Sequence, residues 1–260
     1  LKMLEVIERL DTLGPWTVTP TLLAAHIIPD EFSHDRAGYI SMICDELMPE
    51  VSRRSLAKHV DVFCDSGAFT LQEMVHILER AKALGFGLKA HAEQLSRTGA
   101  SSAAARLGAH SVDHLEYLTE EDIEVLTEHG TCAVLLPGAS LFLGVEVRPP
   151  ARRLLDRGVP VALSTDCNPG TCPSTHLPLM TTLGCSSLGM MPHEALLAIT
   201  REAAIASGLP DGHGRLMTGG PCDFVVMDVS NWRHIPYRLG LNPTRAVFVK
   251  GHRVYRGAAL

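Results

Sequence analysis

Four polar side chains stand where strand-like stretches stop: His26 after Leu22-Leu23-Ala24-Ala25, His91 after Leu88-Lys89-Ala90, His114 after Ser111-Val112-Asp113, and Asp166 just beyond Val159-Pro160-Val161-Ala162-Leu163. Imidazole nitrogen and carboxylate oxygen are ligands that suit zinc or iron. A metal in such a site lowers the pKa of bound water and polarises a carbonyl, which is hydrolytic chemistry. Taken singly, each residue has a plainer reading. A histidine at a strand end is commonly a hydrogen-bonded structural residue, and Asp166 ahead of Asn168-Pro169-Gly170 is a turn former. Four such ends in one alternating chain point to a shared cavity at the C-terminal mouth of parallel strands, where α/β folds place their chemistry. Most of the other histidines, including His34, His59, His76 and His129, stand in polar context and read as surface residues, while His110 and His176 stay open.

Helices must lie between these strand ends. Residues 1–10 carry Leu1, Leu4, Ile7 and Leu10 on one side, with no capping residue ahead of them. A strand is expected over 16–28, a helix over 36–54, and a strand at Val60-Asp61-Val62-Phe63 closed by Asp65-Ser66-Gly67. Thr70-Leu71-Gln72-Glu73 is a capping box, and Leu71, Met74, Leu78 and Ala81 follow at helical spacing until Gly85. After the strand ending at His91 comes a helix of small residues through 103–107. Thr119 caps a helix that carries Ile123 and Leu126 and ends near Gly130. A strand over 131–137 and a helix around Arg152-Arg153-Leu154-Leu155 lead into the strand that ends at Asp166. Helices are then expected near 174–183 and over 192–207. Strand and helix alternate six times between Trp16 and Asp166, which implies right-handed βαβ units in a parallel sheet. The phosphate-cradling glycine motifs and the nucleophile elbow of serine hydrolases are missing from the strand–helix junctions, so a (β/α) barrel with His and Asp at its strand ends is what remains. Short strands at 223–228 and 246–250, without helices between them, read as a separate small β domain.

Composition agrees with one large α/β domain. The 260 residues are 46% hydrophobic and 20% charged, enough for a sizeable core. A net charge of −6 without a basic cluster argues against a nucleic-acid partner. The longest apolar run, 133–145, is interrupted by Pro137, Gly138 and Ser140 and is too short to span a bilayer. Seven cysteines scattered through apolar segments suggest reduced thiols and a cytoplasmic setting. Cys167 and Cys172 straddle Asn-Pro-Gly-Thr and lack a second pair at zinc-finger spacing.

The pattern of His91, His114 and Asp166, with the tail from Thr200-Arg201-Glu202-Ala203-Ala204 through Gly214-Arg215-Leu216 to Cys222-Asp223-Phe224-Val225-Val226, resembles the metal-dependent amidohydrolase superfamily. More narrowly, His91-Ala92-Glu93-Gln94-Leu95-Ser96, Asp113-His114-Leu115-Glu116-Tyr117, Leu135-Leu136-Pro137-Gly138-Ala139 and Asp166-Cys167-Asn168-Pro169-Gly170-Thr171 are similar to its imidazolone-opening members in histidine degradation. The resemblance runs along nearly the whole chain. It implies a TIM-type (β/α)8 barrel over 1–210, with 211–260 as the C-terminal strands of a small β-sandwich domain. It implies one Zn2+ or Fe per chain, with His91 and Asp166 as metal ligands. His26, Gln94 and Thr171 would meet the imidazolone ring or its carbonyl, and Asn168 and Gly170 would lie near the formimino-glutamate product. His114 would polarise the carbonyl without ligating, and Asp166 would shuttle the proton. The family has Glu or Gln where Gln94 stands; since Gln is no base, Glu93 is the weaker alternative to Asp166 for proton transfer. By the same resemblance the partners are a small-molecule substrate and a second copy of the chain.

Two departures qualify the resemblance. The superfamily's His-x-His ligand pair does not occur in this sequence, nor can the arginine and tyrosine that meet the substrate carboxylate be placed. The expectation is a barrel lacking its first two strands, roughly the first third of such an enzyme. The competing readings are a related aminohydrolase acting on another small heterocycle, which the Asn-Pro-Gly-Thr loop argues against, and a non-catalytic barrel that has lost its metal.

Overall fold

Side-chain alternation along the strands decides which residues face helices and which face a polar interior. The computed structural model describes residues 1–257, so the last three positions of the expected 211–260 domain lie outside the described residues. The chain divides into two units, Leu1–Thr131 and Cys132–Leu260. In the first, α1 (Lys2–Leu13) precedes β1 (Thr21–Ala25), and a continuous helical stretch follows: α2 (Arg36–Ser41), a π-helical segment (Met42–Leu47) and α3 (Met48–Arg53). Then come β2 (His59–Cys64), α4 (Leu71–Ala83), β3 (Gly87–Ala92), α5 (Ala100–Leu107), β4 (Ser111–His114) and α6 (Glu120–His129). The strands β1 to β4 pair in parallel, in sequence order.

The register sets the faces. Asp61 pairs with Lys89 and Lys89 with Ser111; one layer up, Phe63 pairs with His91 and His91 with Asp113. Neighbours in register share a face, so these residues line one side of the sheet. Val60, Val62, Leu88, Ala90 and Val112 line the other and are buried, with α4 packed on β2 and β3 and α5 on β3 and β4. Met74, Ile77, Leu78 and Ala81 form the buried stripe of α4, while Leu71 at its first turn is exposed. Thr70 caps that helix as its sequence signals: its hydroxyl accepts from the Glu73 amide, and Glu73 accepts from the Thr70 amide at 2.8 Å. Arg36 adds two hydrogen bonds to Glu73, and with them holds the Glu73 carboxyl down to about 2 against the opposing effect of burial. Thr119 caps α6 in the same way, with Asp122 in the reciprocal role.

The second unit continues the alternation with β5 (Cys132–Leu135), α7 (Pro137–Phe142), α8 (Ala151–Asp156) and β6 (Val161–Leu163), which is parallel to β5. Next come α9 (Leu177–Ser187), α10 (Pro192–Ala198) and α11 (Arg201–Ala206). Its core gathers Cys132, Val134, Leu136, Ala139, Ala162, Cys172 and Ala206. Three strands, β7 (Phe224–Met227), β8 (Thr244–Val249) and β9 (His252–Arg256), form an antiparallel sheet, with the one-turn α12 (His234–Tyr237) between β7 and β8.

The six strands expected between Trp16 and Asp166 are all present, and several details differ. β1 is confined to 21–25 rather than 16–28. Pro137 opens a helix instead of closing a strand, because its missing N–H costs nothing at a first helical turn. The helix expected over 192–207 is broken at Thr200, whose backbone leaves the helical region; the backbone of Gly214 lies against the Thr200 carbonyl so closely that a Cβ there would collide with it. α12 and β9 were not anticipated in the small sheet. All seven cysteines are free. No helix among the described residues is long and apolar enough to cross a membrane.

His59 corrects the surface reading: it is buried at the start of β2, its ring edge-on to His110 at 5.1 Å and pressed over Gly87, where a Cβ would strike it. Burial, helped by the charge of Lys89, pushes its pKa down to about 4. The folded chain therefore resists protonation that the unfolded chain accepts. Between pH 6.5 and 4 the unfolded state binds more protons, and stability falls as pH drops through that window. Denaturant unfolding should show wild type losing about 2 kcal/mol from pH 7 to 5 through this group, and His59→Gln losing correspondingly less. Equal losses in both would remove His59 as the source.

Candidate active site

In the first unit, the strand ends bring three of the anticipated histidines together. His26, exposed just beyond β1, stacks on Phe63 of β2 with ring centroids 5.2 Å apart and meets the His91 ring edge-on at 6.0 Å. His114, at the end of β4, lies 5.4 Å from His91 and is buried. Burial, reinforced by His91, pushes the His114 pKa down to about 3, so its imidazole is neutral at physiological pH. Its φ is 80°, and that of Leu115 is 73°, a left-handed conformation that costs L-residues energy and is held only by firm surroundings. Leu115 supplies them: its side chain is fully buried and its amide donates to the Ala92 carbonyl.

His91 sits deeper than its strand-end position suggests. Its Nδ1 lies 2.9 Å from Asp61 Oδ1 on β2. Burial opposes charge on Asp61, but His91 and Lys89 outweigh it and hold the pKa below the usual carboxylate value. Asp113, beside them on β4, is shifted the other way, chiefly by burial and with a contribution from the Asp61 charge. Asp61, His91 and Asp113 each offer a ligand atom within 4.8 Å of the others. A nitrogen and two carboxylate oxygens at this spacing are the donor types that could hold a metal ion.

The loop after His91 is organised by two buried carboxylates. Glu93, with φ 51°, turns away from the histidines and into the start of α5. Its two oxygens accept from the amides of Thr98, Gly99, Ala100 and Ser101 and from the Thr98 hydroxyl. A carboxylate so placed satisfies the free N–H groups of a helix start and complements its dipole. Those contacts commit the carboxylate to the helix start, which argues against the alternative that gave Glu93 a proton shuttle. Asp65, beyond β2, accepts from the amides of Gln94 and Leu95 and from the Ser96 hydroxyl at 2.6–2.9 Å, which pins the backbone that carries the half-buried Gln94 side chain.

In the second unit, Asp166, Asn168, Gly170 and Thr171 form one closed loop. Asp166 has φ 51°, and its Oδ2 accepts from the Thr171 hydroxyl at 3.0 Å. The Asn168 side-chain oxygen accepts from the amides of Gly170 and Thr171. Its nitrogen donates to the Asp166 carbonyl and the Thr171 hydroxyl. Both donors and both lone pairs of that amide are thus spent within the loop. Asn168 sets the loop's shape.

Asp61, Phe63, Asp65 and Asp113 were not singled out from sequence. A carboxylate inside an apolar run is the only trace the first leaves, and that pattern equally describes a strand with one wet face. Only the register shows that Asp61, Lys89, His91 and Asp113 share a side.

The chain belongs to the amidohydrolase family, whose sequence profile matches residues 44–254. Among curated relatives, it is 42% identical over 256 residues to an imidazolonepropionase of Shewanella baltica, covering 98% of this chain and 63% of that protein. It is 44% identical over 249 residues to the imidazolonepropionase of Erwinia tasmaniensis, covering 95% and 62%. The chain therefore spans a little under two thirds of the length of these relatives. Solved structures share the fold at low identity. An adenosine deaminase from Xanthomonas campestris with bound zinc superposes with a TM-score of 0.74 at 18% identity, over 96% of this chain and 63% of that one. A 5-methylcytosine deaminase from Klebsiella pneumoniae liganded with 5-fluorocytosine gives 0.78 at 13%, over 99% and 68%.

If Asn168 shapes the loop, Asn168→Ala should release it locally. Hydrogen exchange should then show the Gly170 and Thr171 amides losing protection while those of β5 and β6 keep theirs, at a cost of about 1–3 kcal/mol in stability. Unchanged protection at Gly170 and Thr171 would overturn the assignment.

Proposed function

We propose that the protein to which this chain belongs hydrolyses the cyclic amide C–N bond of 4-imidazolone-5-propanoate to give N-formimino-L-glutamate, a step of histidine degradation. The observation that carries this reading is the identity, above two residues in five across nearly the whole chain, to relatives that bear the name of that activity. A small-molecule substrate follows from it. A cytoplasmic setting and pairing of two copies accompany the reading by resemblance, as does the assignment of 211–260 to a small β-sandwich domain. His91 and Asp166 would hold the metal, Zn2+ or Fe. When bound, the ion supplies the Lewis acidity that makes water a nucleophile near neutral pH and polarises the attacked carbonyl.

The chain's own residues divide the remaining work. The Thr171 hydroxyl, donating to Asp166 Oδ2, holds that carboxylate in one orientation. Asp166 takes the proton of the attacking water and returns it to the departing ring nitrogen, the general-base and general-acid roles in turn. His114, buried and neutral, donates a ring N–H to the carbonyl oxygen as negative charge develops there. His26 and Gln94 hold the imidazolone ring: the first offers its face beside Phe63, the second its amide on a backbone fixed by Asp65. Thr171, its one hydroxyl proton given to Asp166, would lie at the imidazolone ring. Gly170 would meet the product's formimino-glutamate end, with Asn168 presenting it.

Assay of the protein expressed from its full reading frame should show imidazolone propanoate consumed with one formimino-glutamate formed per ring opened. Asp166→Asn should lower turnover by about 10²–10⁴-fold, with metal content measured alongside to separate lost ligation from lost proton transfer. Turnover near wild type in a metal-loaded Asp166→Asn protein would remove the shuttle. Failure of the metal-loaded wild-type protein to open the ring would remove the substrate assignment.

A further inference from the structure

His91 has a place at the metal in the scheme above, but its partner Asp61, held to it in a defined geometry, has none. Asp61 lies in the middle of β2, two residues short of Phe63, and its carboxylate is buried. Its hydrogen-bonding contact is with His91 Nδ1 at 2.9 Å. The ring meeting it is boxed on other sides by His26, Phe63 and His114. A buried carboxylate costs several kcal/mol unless a donor meets it, and an imidazole N–H is the donor this geometry supplies.

We propose that Asp61 is a positioning residue for His91: its carboxylate accepts the Nδ1–H, fixes the imidazole in the Nδ1-protonated tautomer, and leaves the Nε2 lone pair as the one that meets a metal. This rests on the reading of His91 as a ligand. Imidazole ligands commonly give their second N–H to a carboxylate, which sets both tautomer and ring angle. The rival arrangement is direct chelation, with Asp61, His91 and Asp113 all turned on one ion. Charge argues against it. Lys89 stands in register with Asp61 and acts on both carboxylates, so a cation lodged between them would sit against a positive neighbour. Asp113 also takes a hydrogen bond from the Ser111 hydroxyl at 3.2 Å, a contact that makes it a member of the strand's own polar network.

Long-range proton–nitrogen correlation on the metal-free chain reads the tautomer directly, without activity. Wild type is expected to show His91 protonated at Nδ1. Asp61→Asn should keep that state, because the amide oxygen still accepts and the shape is preserved, whereas Asp61→Ala should give a tautomer mixture. Zinc affinity, measured by chelator competition on the protein from its full reading frame, should fall about 10–100-fold in Asp61→Ala and far less in Asp61→Asn. It should hold within a few-fold in Asp113→Asn. An Nε2-protonated His91 in wild type overturns the proposal, as does an Asp113→Asn protein that loses zinc as severely as Asp61→Ala. His91→Ala separates the layers. Wild-type zinc affinity there would remove His91 as a ligand and the metal half of the proposal with it, while the tautomer would still report on Asp61.

Discussion

The carboxylate of Glu93 is fully buried, and everything around it follows from the need to give it donors. It lies immediately after β3, where the chain has to leave the sheet, and the donors within reach are the free amides at the start of α5. Meeting them requires the backbone to reverse at Glu93 itself, hence its positive φ. That reversal ends the strand one residue after His91 is presented and sends the following residues toward Asp65, whose carboxylate collects the next amides. One electrostatic requirement thus fixes where the strand stops, where the helix begins, and how the intervening loop carries Gln94. In the second unit a neutral amide does comparable work, Asn168 drawing Gly170, Thr171 and Asp166 into a single loop.

Chemistry at such strand ends depends on groups that water would otherwise solvate. Buried without partners, each would cost more than it contributes. The first unit meets this by stacking opposite tendencies in register. Asp61 is held charged by His91 and Lys89, Asp113 is driven toward neutrality, and His114 is kept uncharged. The parallel register is what brings these residues level with one another.

Much of this was readable from sequence, for physical reasons. Thr70 and Thr119 announce their helices because a hydroxyl followed three residues later by an acid solves a local problem locally. The strand end just before Asp166 shows because the apolar run 159–163 stops abruptly, and those at His91 and His114 because short strand-like stretches close on a histidine. What stayed hidden was set by tertiary neighbours. Asp61 looks like any polar residue in an alternating strand until β3 is laid beside it. His59 looks like a surface residue until Gly87 makes room for its ring. The break at Thr200 leaves the helical pattern of 192–207 intact in sequence; what sequence hides is that the backbone of Gly214 lies close against Thr200. Glu93 was visible as an acid two residues after His91, and only its five donors reveal that it is committed to architecture.

The left-handed backbone at His114 and Leu115 places a limit on how this chain can change. Glycine would relax either position at once, so variants screened for thermal endurance alone would meet a standing incentive there. At Leu115 that incentive is checked, because glycine would empty a fully buried side-chain volume and cost more than the relaxed backbone returns. At His114 glycine would likewise empty a buried volume, that of an imidazole packed against His91. Two neighbouring residues thus carry the same conformational burden, and packing guards both against the residue that would relieve it.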